Sequence, residues 1–374
     1  MKKILFVANV DWFFISHRLV IAERAKALGY DVYVACGDSG RSGEIKNKNL
    51  KFIDLKFSRS GTNISEELKS FFKFYSLYKT IKPDIVHHIT LKPVIYGSVA
   101  SRLTGVNATL NAISGLGYNF TGSRKSKTQK VMISFMRYGF NQRNIATIFQ
   151  NQDDHKEVKS LGVLNNSNMI YFIKGSGVDL DQYNYSEPNP QSPIRVLFPV
   201  RMLWDKGVKE LRKATEIHKE NYFNKIQFIL AGLADTENKA GVTAEYLRDW
   251  SDGKYVNWIG YQTDMVSVYK NSDIVVLPSY REGMPKTLIE ACAIGRPIIT
   301  TNGIGCRECV EEGINGYKVA VKSSEQLAKA IESLILNPDL ILRMGKASRR
   351  KAENEFDVNT VIDKHLNIYK KLLS

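Results

Sequence analysis

Short apolar runs alternate with helix-like segments along the whole chain, and this alternation limits the possible folds more than any other feature. Runs at residues 4–8, 52–55 and 85–89 each precede a stretch whose apolar residues follow helical spacing. Parallel strands are joined through helices, and a parallel sheet is covered by helices on its faces. The sequence therefore predicts an α/β fold built from parallel sheets.

A proline-rich segment at residues 182–193 interrupts this alternation, and a second strand–helix series begins at residue 196. Segments with several prolines and no strong periodicity are typical of interdomain linkers. At 374 residues, the chain is long enough for two domains with separate cores. We expect one domain at residues 1–181, a second at residues 194–353 and a last helix at residues 354–374.

Composition and cysteine usage exclude several classes of protein. With 43% hydrophobic and 24% charged residues, the chain has the composition of a soluble globular protein. It contains no run of 18 apolar residues, the length that a membrane-spanning helix requires. Cys306 and Cys309 are spaced like a metal or redox pair, but no second Cys/His pair accompanies them. We therefore expect a cytoplasmic protein without a disulfide framework or a metal site.

Residues 277–297 place two carboxylates around the start of a helix. An apolar run at residues 274–277 predicts a buried strand, Pro285 suits the first turn of a helix, and Gly295 suits its C-terminal cap. Glu282 then lies on the loop ahead of the helix and Glu290 lies within it. The N–H groups of the first helical turn favour an anion such as phosphate. Phosphate between two carboxylates suits a nucleotide sugar.

The same segment, E-G-x-P-x-x-x-x-E-A before G-x-P-I, resembles the donor-site signature of retaining GT-B glycosyltransferases of family four. Three further segments match that family in order: residues 196–208, 256–273 and 303–316. The resemblance implies a GT-B fold, in which two Rossmann-like domains face each other across a cleft. It also implies that the C-terminal helix crosses back to the first domain.

The resemblance assigns roles to residues of the second half. Arg201 and Lys206 would stabilise the donor diphosphate, Glu282 would hold hydroxyls of the donor sugar, and Glu290 would hold the ribose hydroxyls. The remaining residues expected at the donor are Gly283, Met284, Pro285, Lys286, Thr287, Leu288 and Tyr261. No cofactor is implied beyond the UDP-sugar substrate. Asp179 and Asp181 form a D-x-D pair, but the family has a linker turn at this position, so we expect no metal there.

The first half departs further from the family, and its acceptor residues are less clearly marked. His17 and Arg18 could face the cleft and an anionic acceptor, or they could cap and solvate a helix. His87 starts the family's His-x-His pattern, but Ile89 occupies the last position, so His87 could equally be a hydrogen-bonded core residue. Lys92 and the loop glycines Gly115 and Gly117 complete the expected acceptor side.

Positive charge is concentrated in the first half, where residues 1–190 hold 26 Lys+Arg and 15 Asp+Glu, a net +11. The remaining 27 against 23 give +4. Residues 124–143 and 68–82 interleave basic and apolar residues, a pattern that suits an anionic membrane surface or a packed helix with a solvated basic face. For the membrane we expect the basic residues Arg124, Lys125, Lys127 and Lys130.

These observations predict a metal-independent, retaining glycosyltransferase at the inner face of the cell membrane. It would move a hexosamine or hexose, with N-acetylgalactosamine as the best candidate, from a UDP-sugar to a polyprenyl-diphosphate-linked saccharide during surface-glycan assembly. A UDP-sugar 2-epimerase of the same fold is the alternative among enzymes. A net charge of +15 would also fit a nucleic-acid-binding protein, but no nucleic-acid-binding motif accompanies it, so no nucleic-acid partner is expected.

Overall fold

The chain divides into two compact units in this computed structural model. The structure describes residues 1–57, 64–116, 127–235, 238 and 240–374, with only the backbone at 64–67 and 127–128. Unit 1 comprises Met1–Ser176 and Asn359–Ser374, and unit 2 comprises Gly177–Val358. The division therefore falls five residues before the expected end of the first domain, and residues 182–193 belong to unit 2.

Unit 1 contains a seven-stranded parallel sheet in the order β3-β2-β1-β4-β5-β6-β7. Its strands are β1 (Lys3–Val10), β2 (Asp31–Gly37), β3 (Lys51–Asp54), β4 (Ile85–Ile89), β5 (Ala108–Ile113), β6 (Ile145–Phe149) and β7 (Met169–Phe172). All residues of β4, β5 and β6 are buried, as is typical of parallel strands covered on both faces.

The helices of unit 1 connect these strands or close the chain. They are α1 (Asp11–Ala27), α2 (Ser42–Asn47), α3 (Ile64–Ile81), α4 (Ser98–Thr104), α5 (Lys127–Phe140), α6 (Gln152–Ser160) and, beyond unit 2, α13 (Val358–Leu373), together with a π-helical turn (Pro93–Gly97). The helix predicted from residue 354 thus starts at Val358.

Unit 2 contains a six-stranded sheet in the order β10-β9-β8-β11-β12-β13, all of whose recorded pairs are parallel. Its strands are β8 (Ile194–Pro199), β9 (Ile226–Ala231), β10 (Val256–Gly260), β11 (Ile274–Leu277), β12 (Ile298–Thr301) and β13 (Gly316–Val319). Its helices are α7 (Val208–Tyr222), α8 (Ala244–Trp250), α9 (Met265–Lys270), α10 (Lys286–Ile294), α11 (Ser324–Ile335) and α12 (Pro338–Glu355), with 3-10 turns at Trp204–Lys206 and Arg307–Cys309.

The strand order reverses once in each sheet, between β1 and β4 in unit 1 and between β8 and β11 in unit 2. In open parallel sheets, ligands bind outside the carboxyl ends of the strands at such a reversal. The loops that follow β1, β4, β8 and β11 are therefore the places where functional residues are expected. The α/β prediction and the two parallel sheets are confirmed.

No helix in the described ranges is both long and apolar enough to cross a bilayer.

The C-terminal helix α13 buries an unusual polar cluster in unit 1. His87 Nδ1 and the Tyr369 hydroxyl are 2.7 Å apart, and the His365 ring lies 5.6 Å from the His87 ring. Arg18 is only 1% exposed and donates from Nη1 to the His17 carbonyl at 2.8 Å. Burial lowers the pKa of His365 to about 3, with Arg18 adding repulsion, and burial lowers the pKa of Arg18 to about 10. The imidazoles of this cluster are therefore neutral at physiological pH.

Replacing His365 by leucine should reduce the acid sensitivity of the fold. A histidine with a depressed folded-state pKa contributes stability that is present above its ordinary pKa of 6.5 and is lost as the pH falls toward 3. Below about pH 6.5, the wild type should lose up to about 1.4 kcal/mol per pH unit from this group, and the variant should not. Urea unfolding at pH 7.5 and 5.5 measures the difference.

The same substitution at the half-buried His155 serves as control and should change the pH dependence less. An unchanged pH dependence in His365→Leu would show that the imidazole is not kept neutral by the fold.

Candidate active site

Two neighbouring strands of unit 2 bring a lysine and a glutamate together. Lys206 ends the 3-10 turn after β8, and Glu282 lies on the loop after β11, which pairs with β8. Lys206 Nζ forms an ion pair with Glu282 Oε1, and the two side chains are only 19% and 17% exposed. The Ser279 hydroxyl donates to the same carboxylate oxygen at 2.9 Å. The carboxylate is thus held from two sides.

The charge on Lys206 is stabilised by this pair. Burial by itself lowers the pKa of an amine, but the Glu282 carboxylate opposes that effect and prevails, so the pKa of Lys206 is raised. An ammonium ion therefore persists in a site with little solvent. Such a preorganised charge can stabilise negative charge that develops on a ligand.

Close backbone packing fixes the loops that carry this pair. Gly207 has φ +82°, and a Cβ there would lie 2.3 Å from the Pro278 carbonyl oxygen. Gly305 has φ +78°, and a Cβ there would lie 2.3 Å from the Glu282 carbonyl oxygen. The Glu282 N–H donates to the Ile304 carbonyl at 2.9 Å. Three loops thus pack backbone to backbone, which glycine alone permits.

Helix α10 provides the second carboxylate. Glu290 is 7% exposed, accepts a hydrogen bond from the Tyr269 hydroxyl at 3.1 Å, and lies 3.7 Å from Lys286 Nζ. Burial raises the pKa of Glu290, while Lys286, Tyr269 and Tyr183 favour its charged form. The carboxylate is therefore oriented by protein groups.

The start of α10 differs slightly from the prediction. Pro285 is the N-cap residue, with ψ 114°, and the helix begins at Lys286. Gly295 adopts φ 86° at the C-terminal cap, as predicted. The N–H group of Thr287 has no intrahelical carbonyl ahead of it, because Thr287 belongs to the first turn. Of the other expected donor residues, Gly283, Met284, Pro285 and Leu288 are buried.

Arg201 and Tyr261 lie on the surface of unit 2. Arg201 follows β8, is about half exposed, and pairs with Asp235 at 3.6 Å. Tyr261 follows β10 and is 59% exposed. Arg201 can therefore bind a ligand if the ligand replaces Asp235 as its partner. Lys206, by contrast, is buried against Glu282.

The residues expected on the acceptor side lie in unit 1. His17 stacks on Phe13 at 4.1 Å, Arg18 is buried and does not solvate its helix, and His87 is the hydrogen-bonded core residue described above. Lys92 precedes the π-helical turn, and Gly115 follows β5 with φ +116°. Gly117 lies outside the described residues, as do Arg124 and Lys125.

Asp179 is bonded to its neighbours in a turn, and Cys306 and Cys309 are buried. Asp179 Oδ1 accepts N–H groups from Asp181 at 2.9 Å and Gln182 at 3.0 Å, so this carboxylate closes a turn. Cys306 and Cys309 are buried and reduced, and burial raises the pKa of Cys306 to about 12. Across the described ranges, no group of three or more His, Cys, Asp or Glu residues is placed to hold a metal ion.

Several partners of the site residues were not anticipated from the sequence. They are Ser279 and Tyr269, which hold the two carboxylates, and Glu210, which accepts a hydrogen bond from the Tyr280 hydroxyl at 2.8 Å. Tyr269 lies in a segment that matched the family, so its position in the motif was a usable signal. The Ser279–Glu282 contact joins residues three apart on one loop, whereas the Tyr280–Glu210 contact joins that loop to helix α7.

Family models and known proteins agree with this architecture. The model described as "Glycosyl transferases group 1" matches residues 180–351, and "Glycosyl transferase 4-like" matches residues 3–152. The N,N'-diacetylbacillosaminyl-diphospho-undecaprenol alpha-1,3-N-acetylgalactosaminyltransferase of Campylobacter jejuni is 27% identical over 99% of both chains. The UDP-Gal:alpha-D-GlcNAc-diphosphoundecaprenol alpha-1,3-galactosyltransferase of Escherichia coli is 25% identical, covering 91% of this chain and 89% of its own.

The solved structure of HepE from Anabaena, in complex with UDP and glucose, has a TM-score of 0.78 at 17% identity. It covers 99% of this chain and 100% of its own. The fold and the matched halves define the chain as a glycosyltransferase of the GT-B fold. Within that class it belongs to family four, the family that its sequence motifs resemble.

Gly305→Ala should destabilise unit 2 because the new Cβ would collide with the carbonyl oxygens of Glu282 and Gly283. The left-handed backbone costs an L-residue about 1–2 kcal/mol, and the collision adds to that. Gly313→Ala is a matched control, since Gly313 has φ +73° and a Cβ there meets no atom within 4 Å. Urea unfolding should show a loss at least about 2 kcal/mol larger for Gly305→Ala. Equal losses would mean that the loops do not depend on this close packing.

Proposed function

We propose that the chain transfers a sugar, with N-acetylgalactosamine or a related hexosamine or hexose as the best candidate, from a UDP-sugar to a polyprenyl-diphosphate-linked saccharide. The observation that carries the donor assignment is the Lys206–Glu282 pair at the strand reversal of unit 2, next to the start of α10. A buried cation and helical N–H groups suit a diphosphate. The two carboxylates, Glu282 and Glu290, suit hydroxyl groups of the sugar and the ribose.

The acceptor assignment is supported by the relatives. The Campylobacter jejuni relative and the Escherichia coli relative are both named for acceptors that carry a sugar on diphosphoundecaprenol. Both align with nearly the whole of this chain, so unit 1 and unit 2 are both covered. We extend the class of acceptor to this chain, together with a role in surface-glycan assembly.

The reaction follows from the charges of the donor site. The bond between the anomeric carbon and the diphosphate breaks, and UDP leaves with the electron pair. Lys206, Arg201 and the start of α10 stabilise the charge that develops on the diphosphate. As the resemblance to the retaining family implies, the acceptor hydroxyl attacks from the face that UDP leaves, its proton passes to a phosphate oxygen, and the anomeric configuration is retained. Because these cations serve the leaving group, the reaction proceeds without a metal ion.

A transfer assay tests this function. Purified protein, a panel of UDP-sugars and a polyprenyl-diphosphate-linked saccharide are incubated with excess EDTA, and the lipid product is analysed by mass spectrometry. We expect one added sugar from one preferred donor and a retained anomeric configuration by NMR. The proposal fails if UDP is never released in the presence of any such acceptor. Activity that EDTA abolishes and magnesium restores would refute metal independence.

Glu290→Gln should weaken UDP binding about 10–100-fold, because hydrogen bonds to a charged group contribute about 1.5–3 kcal/mol. Isothermal titration calorimetry with UDP measures the effect. Glu332→Gln is a matched control, since Glu332 also accepts a tyrosine hydroxyl, from Tyr222 at 2.8 Å, but lies on α11. UDP affinity that is equal in both folded variants would remove Glu290 from the nucleotide site.

A membrane-facing surface on unit 1 would bring the protein to its lipid-linked substrate. Helix α5 buries Ile133, Met136 and Phe140, but it exposes a second apolar stripe of Val131, Phe135 and Tyr138. Helix α3 likewise exposes Leu68 and Phe72, the latter at 62%. Exposed basic residues lie beside these stripes, namely Lys69, Lys73 and Lys130. Apolar residues flanked by lysines favour the interface of an anionic bilayer. We therefore propose peripheral association with the inner face of the cell membrane.

The double variant Phe72→Ser/Phe135→Ser should bind vesicles of anionic phosphatidylglycerol about tenfold more weakly, since two exposed aromatic rings no longer enter the interface. Co-sedimentation at low and high salt measures binding, and wild-type binding should fall with salt. Ile217→Ser/Leu336→Ser is the control, because it removes two comparably exposed apolar residues from unit 2. Equal loss in both variants would argue against a surface specific to α3 and α5.

A further inference from the structure

Three side-chain oxygens without partners lie at the carboxyl edge of the unit 1 sheet. They are Asn9 Oδ1 near the end of β1, Thr90 Oγ1 directly after β4 and Ser114 Oγ directly after β5. Each oxygen is shielded from water and has no hydrogen-bond partner within the described ranges. A buried polar group left without a partner destabilises the folded chain. Three such groups at one edge indicate hydrogen-bonding capacity that the folded chain does not use.

Strand pairing places the three residues at the ends of three neighbouring strands. Strands β1, β4 and β5 are consecutive in the sheet, Val7 pairs with His88, and Ile89 pairs with Ala112. Asn9 and Thr90 both come two residues after a paired position, and Ser114 comes two residues after Ala112. With neighbouring strands about 4.8 Å apart, the set spans roughly 10 Å. It lies at the β1/β4 reversal, where ligands bind in open parallel sheets.

The backbone is irregular at two of these positions. Thr90 has φ +72°, which is strongly disfavoured for a β-branched residue, and its carbonyl accepts the Val94 N–H at 3.1 Å in the short helical turn that leads into the π-helical turn. The pairing of β1 with β2 shifts register between Val7 and Val10, so Asn9 lies within an irregular part of the strand. Strained residues and bulges are concentrated at ligand sites, where they aim a side chain.

The sheet of unit 1 contains a further buried threonine that lies away from this edge. Thr147 Oγ1 is also buried and without a partner in the described structure, but Thr147 lies in the middle of β6. No ligand can approach a buried mid-strand position without opening the sheet. Asn9, Thr90 and Ser114 are only partly buried as residues, so rotation about χ1 turns each polar group outward.

We propose that Asn9, Thr90 and Ser114 form a subsite that binds hydroxyl groups of the acceptor saccharide. This inference rests on the proposed transferase function and names the part of unit 1 that recognises the acceptor sugar. A hydroxyl group donates to the Asn9 amide oxygen and exchanges hydrogen bonds with the two side-chain hydroxyls. A phosphate offers only acceptor oxygens, so the Asn9 amide oxygen, which is itself an acceptor, would repel it. The subsite therefore recognises the sugar rather than the diphosphate.

The test measures binding of a short acceptor probe, N-acetylglucosamine α-diphosphate carrying a short alkyl chain, and of the same alkyl diphosphate without the sugar. Ser114→Ala and Thr90→Gly should each weaken binding of the sugar probe about 3–10-fold. They should leave binding of the sugar-free diphosphate and of UDP unchanged. The melting temperature should stay equal or rise, because each variant removes an unpaired hydroxyl and Thr90→Gly also relieves the backbone.

Two matched controls separate the subsite from a structural role. Thr147→Val removes an unpaired hydroxyl away from the edge, and Lys82→Gly relieves a φ of +49° at the opposite end of β4. Neither should change binding of the sugar probe. The proposal is overturned if Ser114→Ala and Thr90→Gly bind that probe as the wild type does, or if they bind both probes equally weakly.

The same experiment distinguishes this inference from the proposed function. Weakened binding in the two variants, with no transfer by the wild type from any UDP-sugar, would support the subsite and refute the function. Transfer by the wild type, with unchanged probe binding and an unchanged acceptor KM in the variants, would refute the subsite and support the function.

Discussion

The adjacency of β8 and β11 is the constraint on which the donor site depends. The two strands are parallel neighbours at the point where strand order reverses, so the segments that follow them meet at one edge of the sheet. Lys206 and Glu282, which are 76 residues apart, therefore form a buried ion pair. Gly207 and Gly305 allow the loops to approach this closely. A shift of either strand would separate the cation from the carboxylate.

Burial and charged or polar neighbours set the pKa values of Lys206 and Glu290 in unit 2. Lys206 remains protonated because Glu282 outweighs the loss of solvent, and Glu290 has a raised pKa because its partners only partly compensate for burial. Both groups are oriented before a ligand arrives, so little reorganisation is needed when charge develops on a diphosphate. Removing one partner of such a pair leaves the other charge buried and unpaired, which is strongly destabilising.

Both strand reversals carry polar side chains. In unit 2, the Lys206 ammonium and the Ser279 hydroxyl both contact the Glu282 carboxylate. In unit 1, Asn9 Oδ1, Thr90 Oγ1 and Ser114 Oγ have no hydrogen-bond partner in the described structure, whereas the deeper His88 ring is bonded to Tyr78 at 2.8 Å and to Asn111 at 2.7 Å. A charged leaving group requires a preorganised charge, whereas a neutral saccharide requires vacant hydrogen-bonding positions.

The sequence by itself determined the α/β class, the parallel sheets, the family and the order of strand, loop and helix around Glu282 and Glu290, because periodicity and short motifs are local properties of the chain. It left open whether His87 is a core residue, and it gave no indication that Arg18 is buried. Those outcomes depend on contacts between segments far apart in the chain, such as His87 with Tyr369 on α13. Only the tertiary structure decided them, since burial and hydrogen-bond partners are set by which elements pack together.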